Sequence, residues 1–347
     1  MKYIDGGVCS AKGFRAGGMN CGIKAGSTKK DLAMIVSDTM CSAAAVYTTN
    51  KVKGAPLAVT REHLINGTAQ AVICNSGNAN TCAPNGVEIA EKTCEITGSA
   101  LGLAAEDIIV CSTGVIGQEL SIKPFEYGVP KLAEKVSYNG GQEAAEAIMT
   151  TDTIPKSIAV EFEIDGKTCY IGGIAKGSGM IDPNMATMLS FITTDAAVSP
   201  EMLDKALKAD VKTSYNQICV DGDMSTNDTV AVLANGMAGN DEIAEAGTEF
   251  DVFCKALAMV TRYLAKKLAR DGEGATKLIE CQVKGALDHE TAARISKTVI
   301  SSNLLKAAIF GADANWGRVL CAIGYADGEF STENIDVEMA SAKGRVL

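Results

Sequence analysis

Histidine, tryptophan and long apolar runs are the features that this chain of 347 residues has least of. It contains two histidines, His63 and His289, and one tryptophan. No stretch approaches the ~20 consecutive apolar residues that a membrane-spanning helix needs. The opening MKYIDGGVCSAKG has an acidic residue where a signal peptide would carry its apolar segment. We therefore expect a globular protein of the cytoplasm that has no membrane association.

The charge and the cysteines argue against two further classes of protein. The net charge is −10, with 32 Lys+Arg against 42 Asp+Glu, which disfavours a nucleic-acid partner held by phosphate neutralisation. None of the twelve cysteines forms a C-x-x-C pair, so the usual ligand pairs of a structural zinc site are missing. Most of the thiols are expected to be free and buried. Two histidines in polar, helix-like contexts also leave little room for histidine-based catalysis.

Short strands and amphipathic helices occur in uneven groups along the chain. Residues 157–176 alternate apolar side chains on one face around an Asp165-Gly166 turn, which predicts a β-hairpin. Ser199 and Pro200 predict the start of one helix, and residues 250–270 predict a longer one that Gly272 can end. Because the groups do not alternate strictly as β-α-β, the pattern favours a layered α+β fold over a doubly wound sheet.

Glycine-rich and Asp-rich turns offer only weak functional signals. The turns at residues 176–179 and 272–277 do not match the phosphate-binding pattern G-x-x-x-x-G-K-[ST], and tight turns made possible by glycine explain each of them better. Asp221, Asp223 and Asp228 lie in VDGDMSTND, which lacks the spacing and closing Glu of a calcium loop. We interpret this segment as a capped turn, with a metal site as the minor alternative.

The segment KGSGMIDPNMATMLSFITTD, residues 176–195, carries a more specific chemical signal. A glycine-rich turn and Pro183 precede Ala186 and Thr187, after which a buried strand is predicted. A hydroxyl at this junction could attack the preceding carbonyl and break the chain there. The new α-amine of Thr187, with an ordinary pKa of ~8, could then act as base for its own hydroxyl. Taken alone, the signal is weak, because a Thr at the start of a strand is structural far more often than catalytic.

Seven segments in order resemble the ornithine acetyltransferase family, the bifunctional glutamate N-acetyltransferases and N-acetylglutamate synthases of arginine biosynthesis. The resemblance runs from the first residues to about Tyr325. The matching segments are VICNSGNAN (72–80), VCSTGVIG (110–117), IMTTDTIPK (148–156), KGSGMIDPNMATMLSFITTDA (176–196), YNQICVDGDMSTNDTV (215–230), RDGEGATK (270–277) and FGADANWGRV (310–319).

The resemblance implies a layered αββα sandwich and a self-cleaving enzyme. Cleavage between Ala186 and Thr187 would give an N-terminal (α) chain, residues 1–186, and a C-terminal (β) chain, residues 187–347, which stay together. Thr187 would be the nucleophile, and Thr113 and Gly114 would form the oxyanion hole.

The resemblance also implies the substrate contacts, which fall on Thr150, Lys176, Thr187 and Glu273. Lys176 can pair with a carboxylate, and Glu273 with an ammonium group, of an N-acetylated amino acid.

The implied reaction is a ping-pong transfer of acetyl from N²-acetylornithine to L-glutamate through acetyl-Thr187. Acetyl-CoA is a candidate second donor, and no metal or other cofactor is expected. The implied assembly is a heterotetramer of two αβ units. Members of the family continue through a further C-terminal segment that contacts substrate, and this chain has no counterpart of it. For the sequence as given, we therefore expect lowered stability and weaker ornithine binding.

Two other functions remain open on the sequence. A self-processing aminopeptidase or amidase would use the same nucleophile and oxyanion hole, with water as acceptor. A non-catalytic metabolite-binding protein built on the glycine-rich turns would stay uncut and would tolerate Thr187→Ala.

Overall fold

The computed structural model describes residues 1–182 and 188–346. In these two ranges the chain forms eleven β-strands and nine α-helices. The strands are β1 (Lys2–Ile4), β2 (Phe14–Met19), β3 (Leu32–Tyr47), β4 (Thr68–Asn75), β5 (Ile108–Ser112), β6 (Lys156–Ile164), β7 (Lys167–Lys176), β8 (Leu189–Thr194), β9 (Thr229–Ala234), β10 (Met339–Ser341) and β11 (Gly344–Val346). The helices are α1 (Ala55–His63), α2 (Gly86–Leu101), α3 (Lys123–Ala133), α4 (Gly141–Ala147), α5 (Pro200–Asp210), α6 (Thr248–Arg270), α7 (His289–Ser301), α8 (Asn303–Phe310) and α9 (Trp316–Gly324).

Nine strands form one mixed sheet in the order β1-β6-β7-β8-β9-β3-β4-β5, with β2 pairing with β3. The pairs β4–β5 and β8–β9 are parallel. The sheet has two halves, one formed by β2–β5 and the other by β1 and β6–β9. The 16-residue strand β3 pairs with strands of both halves. Its first part pairs with β2 and β4, its last part pairs with β9, and its register shifts between Val36 and Cys41. Such an irregularity bends a strand, so β3 connects the two halves of the sheet.

Alternation of side chains along the strands gives each half two apolar faces. The inner faces share one core, in which Ile109 of β5 and Phe191 of β8 both take part. The outer face of β6–β9 packs against α5 and α6, and the outer face of β3–β5 packs against α1, α2 and α3. Strands buried on both faces favour such a layered arrangement. The order helix, sheet, sheet, helix confirms the predicted αββα class.

The predicted hairpin is present as β6 and β7. The two strands pair from Lys156↔Ala175 to Ile164↔Lys167. Asp165 and Gly166 have φ of 51° and 69°, the positive values that a tight two-residue hairpin turn requires. The alternating apolar residues of β6 all enter the core beneath α6.

The two predicted helices are also present, with one correction. The Ser199 side chain accepts a hydrogen bond from the Met202 amide and caps α5. Helix α6 ends at Arg270 with Asp271 as its C-cap, so it ends where the sequence predicts, just before Gly272. Gly272 is not among the glycines with positive φ, however, so it does not end the helix through a left-handed turn. Gly272 instead allows close packing, because a Cβ there would lie 2.8 Å from Cγ1 of Val220.

The last third of the chain adds a smaller unit. Helices α7, α8 and α9 share a separate apolar cluster that includes Ile295, Leu305 and Ala322, and β10 and β11 form a two-stranded sheet. Across the two described ranges, no helix is both long and apolar enough to span a bilayer.

The cysteines follow the sequence prediction only in part. All twelve are free thiols, as expected. Six are buried, four are half-buried, and Cys82 and Cys321 are exposed. Because only half of the twelve are buried, the prediction that most of them are buried is wrong.

Candidate active site

The predicted oxyanion-hole residues lie directly after β5. The Thr113 amide donates to the Asn75 carbonyl at the end of the neighbouring strand β4, at 2.9 Å. Gly114 has φ of 128°, and a Cβ there would lie 2.6 Å from the carbonyl carbon of Gly77. Only glycine fits such a position without a backbone shift. Gly114 is exposed, so its backbone faces the space outside the sheet edge.

Lys176, the last residue of β7, reaches Thr113 from the other half of the sheet. Its Nζ lies 3.4 Å from the Thr113 Oγ1, and the residue is only 8% exposed. An ammonium group can only donate, so the hydroxyl oxygen accepts and its own hydrogen can point to another acceptor. Burial lowers the pKa of Lys176, while the charges of Asp152 and Asp228 act in the opposite direction.

Lys156, Asp152 and Asp271 form a buried ion cluster close to Lys176. The Lys156 ammonium lies 2.6 Å from Asp152 Oδ1 and 2.6 Å from Asp271 Oδ2, and the Lys156 side chain is fully buried. Burial raises the pKa of Asp152, but the ammonium groups of Lys176 and Lys156 outweigh it and hold this pKa below its ordinary value. The cluster joins the start of β6 to the end of α6.

Asp152 and a backbone hydrogen bond connect the segments that carry the predicted substrate residues. Asp152 accepts hydrogen bonds from the amides of Thr150, at 3.1 Å, and Gly177, at 2.7 Å. The Glu273 amide donates to the Ser178 carbonyl at 2.8 Å. Thr150, Lys176 and Glu273 therefore lie on segments that hydrogen bonds connect to one another.

A small cavity of about 20 Å³ lies at the centre of this arrangement. Thr113, Lys176 and Asp228 line it, together with Gly177, Gly179, Met180, Met188, Leu189, Ser225 and Asn227. Asp228 is 1% exposed, and its Oδ2 atom has no hydrogen-bond partner in the described part of the chain. Burial raises the pKa of Asp228 well above its ordinary value, although Ser225, Thr48 and Lys176 act in the opposite direction.

A second cavity, of about 670 Å³, lies beside α6 and the segment 273–283. Arg262, Lys266, Lys277 and Glu273 line it, whereas Thr113 and Lys176 do not. The Glu273 side chain lies next to Gly179, which lines the smaller cavity, since a Cβ on Gly179 would be 2.7 Å from its Oε1. Glu273 is exposed and lines the larger cavity while contacting a residue of the smaller one.

Ala186 and Thr187, the predicted cleavage site and nucleophile, lie outside the described residues. Their neighbour Met188 is buried and lines the small cavity. The Met188 carbonyl accepts a hydrogen bond from the Thr229 amide at 3.0 Å. The residue bonded directly to Thr187 is thus at the candidate site.

Several residues of this site were missed by the sequence analysis. Asp152, Lys156 and Asp271 occur within quoted motifs, yet only their burial shows that they form one cluster. Asn227 donates to the carbonyls of Ala79 and Ser112 and so holds the β5 end in place. Asp228 was taken as part of an Asp-rich turn, whereas the structure buries it in the cavity wall. Within that turn, Asp221 accepts the amide of Asp223 at 3.0 Å, and it also accepts the amides of Met180 and Ile181 from the segment after β7.

Comparison with known proteins decides the family. The ArgJ family model matches residues 15–346. This protein belongs to the ArgJ family. The arginine biosynthesis bifunctional protein ArgJ of Caldanaerobacter subterraneus subsp. tengcongensis is 50% identical over 347 residues, which are 100% of this chain and 86% of the relative. The protein of the same description from Symbiobacterium thermophilum is 50% identical over 339 residues, 97% of this chain and 84% of the relative.

Two solved structures agree with the ArgJ assignment. The ArgJ structure from Bacillus halodurans is 41% identical, with a TM-score of 0.50, over 53% of this chain and 97% of that one. The ornithine acetyltransferase of Mycobacterium tuberculosis, complexed with ornithine, is 40% identical, with a TM-score of 0.50, over 53% and 99%. The predicted family and the prediction of an arginine-biosynthesis acetyltransferase are confirmed, and a non-catalytic binding protein is not favoured.

Proposed function

We propose that this protein is a self-cleaving enzyme that moves an acetyl group from N²-acetylornithine to L-glutamate through an ester on Thr187. The observation that carries the proposal is the convergence of Lys176 and Thr113 on the cavity that Met188 lines. Charge-assisted hydrogen-bond donors at a strand end are what acyl transfer needs next to its nucleophile. The family to which the chain belongs performs this reaction class.

Cleavage between Ala186 and Thr187 would divide the protein into chains 1–186 and 187–347. The lengths of the solved relatives support such a division. Their chains are 97% and 99% covered by a match to 53% of this protein, so each is about half as long as this one. Strand β8 begins two residues after the proposed cut, and its pairing with β7 and β9 would hold the two chains together.

In the first half-reaction, the Thr187 α-amine takes the proton of the Thr187 hydroxyl, whose oxygen attacks the acetyl carbonyl. The developing oxyanion accepts hydrogen bonds from the Thr113 hydroxyl and the Gly114 amide. Lys176 orients the Thr113 hydroxyl by donating to its oxygen. The protonated amine then gives its proton to the ornithine nitrogen, which leaves, and acetyl-Thr187 remains.

In the second half-reaction, the neutral amine of L-glutamate bonds to the carbonyl carbon of the ester, and the bond between that carbon and the Thr187 oxygen breaks. The Thr187 α-amine passes the proton from the glutamate nitrogen to the Thr187 oxygen, so that N-acetylglutamate leaves and the hydroxyl is restored. Lys176 and Glu273 carry charges opposite to the carboxylate and the ammonium of an amino-acid substrate, and Thr150 lies on the adjoining segment. Ornithine in the relative from Mycobacterium tuberculosis supports this substrate class. In this proposal acetyl-CoA is a second acetyl donor, no resident cofactor takes part, and two αβ units assemble as a heterotetramer in the cytoplasm.

The intact mass of the purified protein tests the proposal. We expect two species that correspond to residues 1–186 and 187–347, and one uncut chain of 36.0 kDa for Thr187→Ala. Thr168→Ala is the matched control, because Thr168 is an exposed threonine of β7, and it should be cut as in the wild type. A wild-type preparation that is uncut and still transfers acetyl groups would refute the proposal.

The amidase alternative differs in its acceptor. A transferase consumes acetylornithine in proportion to added L-glutamate and forms N-acetylglutamate, whereas an amidase releases free acetate at a rate that glutamate does not change. Measuring both products with and without L-glutamate separates the two reactions.

A further inference from the structure

Asp152 is a buried carboxylate whose two oxygens both bind groups of the candidate active site. Its Oδ1 accepts hydrogen bonds from the Gly177 amide at 2.7 Å and from the Lys156 ammonium at 2.6 Å. Its Oδ2 accepts a hydrogen bond from the Thr150 amide at 3.1 Å. The Asp152 side chain is fully buried. One carboxylate therefore joins two separate backbone segments away from solvent.

The two backbone amides that Asp152 binds belong to segments that the proposed reaction uses. Thr150 is itself a proposed substrate contact, and Gly177 directly follows Lys176. Gly177 has φ of 151°, a conformation that residues with a side chain rarely adopt. The hydrogen bond to Asp152 holds the backbone in this conformation immediately after Lys176. It therefore fixes the point from which the Lys176 side chain extends.

Lys176 has few contacts of its own that could fix its ammonium group. Among the described residues, this group donates one hydrogen bond, the 3.4 Å contact with the Thr113 hydroxyl. Burial lowers the pKa of Lys176, and the charge of Asp152 is the largest effect in the opposite direction. Asp152 thus acts on Lys176 through the backbone and through its charge.

We propose, on the basis of the function proposed above, that Asp152 is a positioning residue for acetyl transfer. Through the Gly177 amide, it directs the Lys176 ammonium group at the Thr113 hydroxyl. Through the Thr150 amide, it keeps the second substrate segment next to the first. Asp152 acts only through these residues and takes no proton in the reaction. A displacement of about 1 Å in such an arrangement can cost roughly 100-fold in rate.

Steady-state kinetics of Asp152→Asn test this role. Lys156 keeps Asp271 as a partner at 2.6 Å in this variant, so the buried ammonium group is not left alone. Asparagine offers one acceptor oxygen where the carboxylate offers two, so one of the two segments loses its hydrogen bond. We expect kcat, expressed per mole of cut protein, to fall roughly 10- to 100-fold.

Asp195→Asn is the matched control. Asp195 is also a buried carboxylate that accepts two backbone amides, from Lys12 at 3.0 Å and from Tyr170 at 2.7 Å. It follows β8 at the end of the β7–β8 pair that lies opposite to Lys176. Thermal unfolding should show a loss of stability in both variants, whereas kcat should fall only in Asp152→Asn.

The pH dependence of kcat/KM separates positioning from a loss of stability. Lys176 is faced by charged and titratable groups from several elements, namely the carboxyl groups of Asp152 and Asp228, the thiol of Cys74 and the ammonium groups of Lys156 and Lys24. Removing the charge of Asp152 lowers the pKa of Lys176, so the ammonium form is lost at a lower pH. The alkaline fall of kcat/KM should therefore move to lower pH in Asp152→Asn and stay in place in Asp195→Asn.

Asp152→Glu is a second test, which also applies if Asp152→Asn is not cut or does not fold. Glutamate keeps the charge but moves the two oxygens by one methylene group. We expect kcat to fall about tenfold or more, with the alkaline fall of kcat/KM at the pH of the wild type.

Three results would overturn the positioning role while leaving the proposed function intact. These are a wild-type kcat in Asp152→Asn or Asp152→Glu, an equal loss of kcat in Asp195→Asn, and an alkaline fall that does not move in Asp152→Asn. A wild type that transfers no acetyl group from acetylornithine to glutamate would instead contradict the proposed function itself.

Discussion

The ammonium group of Lys176 lies 3.4 Å from the hydroxyl oxygen of Thr113, although the two residues lie at the ends of strands in different halves of the sheet. Lys176 ends β7, and Thr113 follows β5. The contact therefore exists only when the inner faces of the two halves are packed against each other. Lys176 therefore reaches the candidate oxyanion hole only because the two halves share one core.

Thr113→Val should reduce kcat by roughly 100-fold or more, the usual loss for one oxyanion-hole donor. Valine keeps the shape of threonine but has no hydroxyl to donate. Thr113→Ser, which keeps the hydroxyl, should stay within about tenfold of the wild type. Steady-state kinetics with acetylornithine and glutamate measure the effect, and an unchanged kcat in Thr113→Val would exclude the hydroxyl from the reaction.

Gly114→Ala should also lower kcat, because it shifts the backbone of the candidate oxyanion hole. Its Cβ would lie 2.6 Å from the carbonyl carbon of Gly77, and its φ of 128° is unfavourable for any residue with a side chain. Gly117→Ala is a control, because Gly117 also has a positive φ but a Cβ there meets nothing within 4 Å. We expect a large loss of kcat for Gly114→Ala and a small one for Gly117→Ala. Equal rates for the two variants would contradict this prediction.

Lys156→Met should lower the free energy of unfolding by about 3–5 kcal/mol, because it leaves two buried carboxylates without their common cation. Lys208→Met removes a lysine from an exposed ion pair with Asp204, and such pairs contribute about 0–1 kcal/mol. Urea unfolding of both variants gives the comparison. A loss below 1 kcal/mol for Lys156→Met would show that the buried cluster does not stabilise the fold.

The buried ion cluster of Lys156, Asp152 and Asp271 should also make the free energy of unfolding depend on pH. Hydrogen bonds from Lys156 and Thr153 outweigh the effect of burial and hold the pKa of Asp271 below its ordinary value of 3.8. Because the folded pKa is depressed, the stabilisation is complete above the unfolded value and is lost as the pH falls through the folded value. The difference in unfolding free energy between the wild type and Asp271→Asn should therefore be constant above about pH 5 and shrink below 3.8. A difference that persists unchanged well below that pH would argue against the lowered pKa.

Local features of the fold could be predicted because they depend on neighbouring residues. The positive φ values of Asp165 and Gly166 follow from the turn that joins two alternating strands, and the Ser199 cap follows from its place before Pro200. The role of Gly272 at the end of α6 was predicted less well. Gly272 is required by its contact with Val220, about 50 positions earlier in the sequence, and no local pattern reports such a contact.

The candidate site, too, could be predicted from the sequence only in part. Its motif residues, from Thr113 to Glu273, could be found in the sequence because each stands in a long segment that resembles one family. The partners that hold them could not, since Asp152, Lys156 and Asp271 are ordinary charged residues until burial brings them together.

The order of residues in this chain was sufficient to identify its hairpin, its capped helices and its family, because those depend on short-range chemistry and on long motifs. Only the folded structure could show that Lys176 donates to Thr113, and that one buried oxygen of Asp228 has no hydrogen-bond partner among the described residues. Those relationships depend on the packing of two sheet halves against each other, and the desolvation that gives such groups their chemistry arises only from that packing.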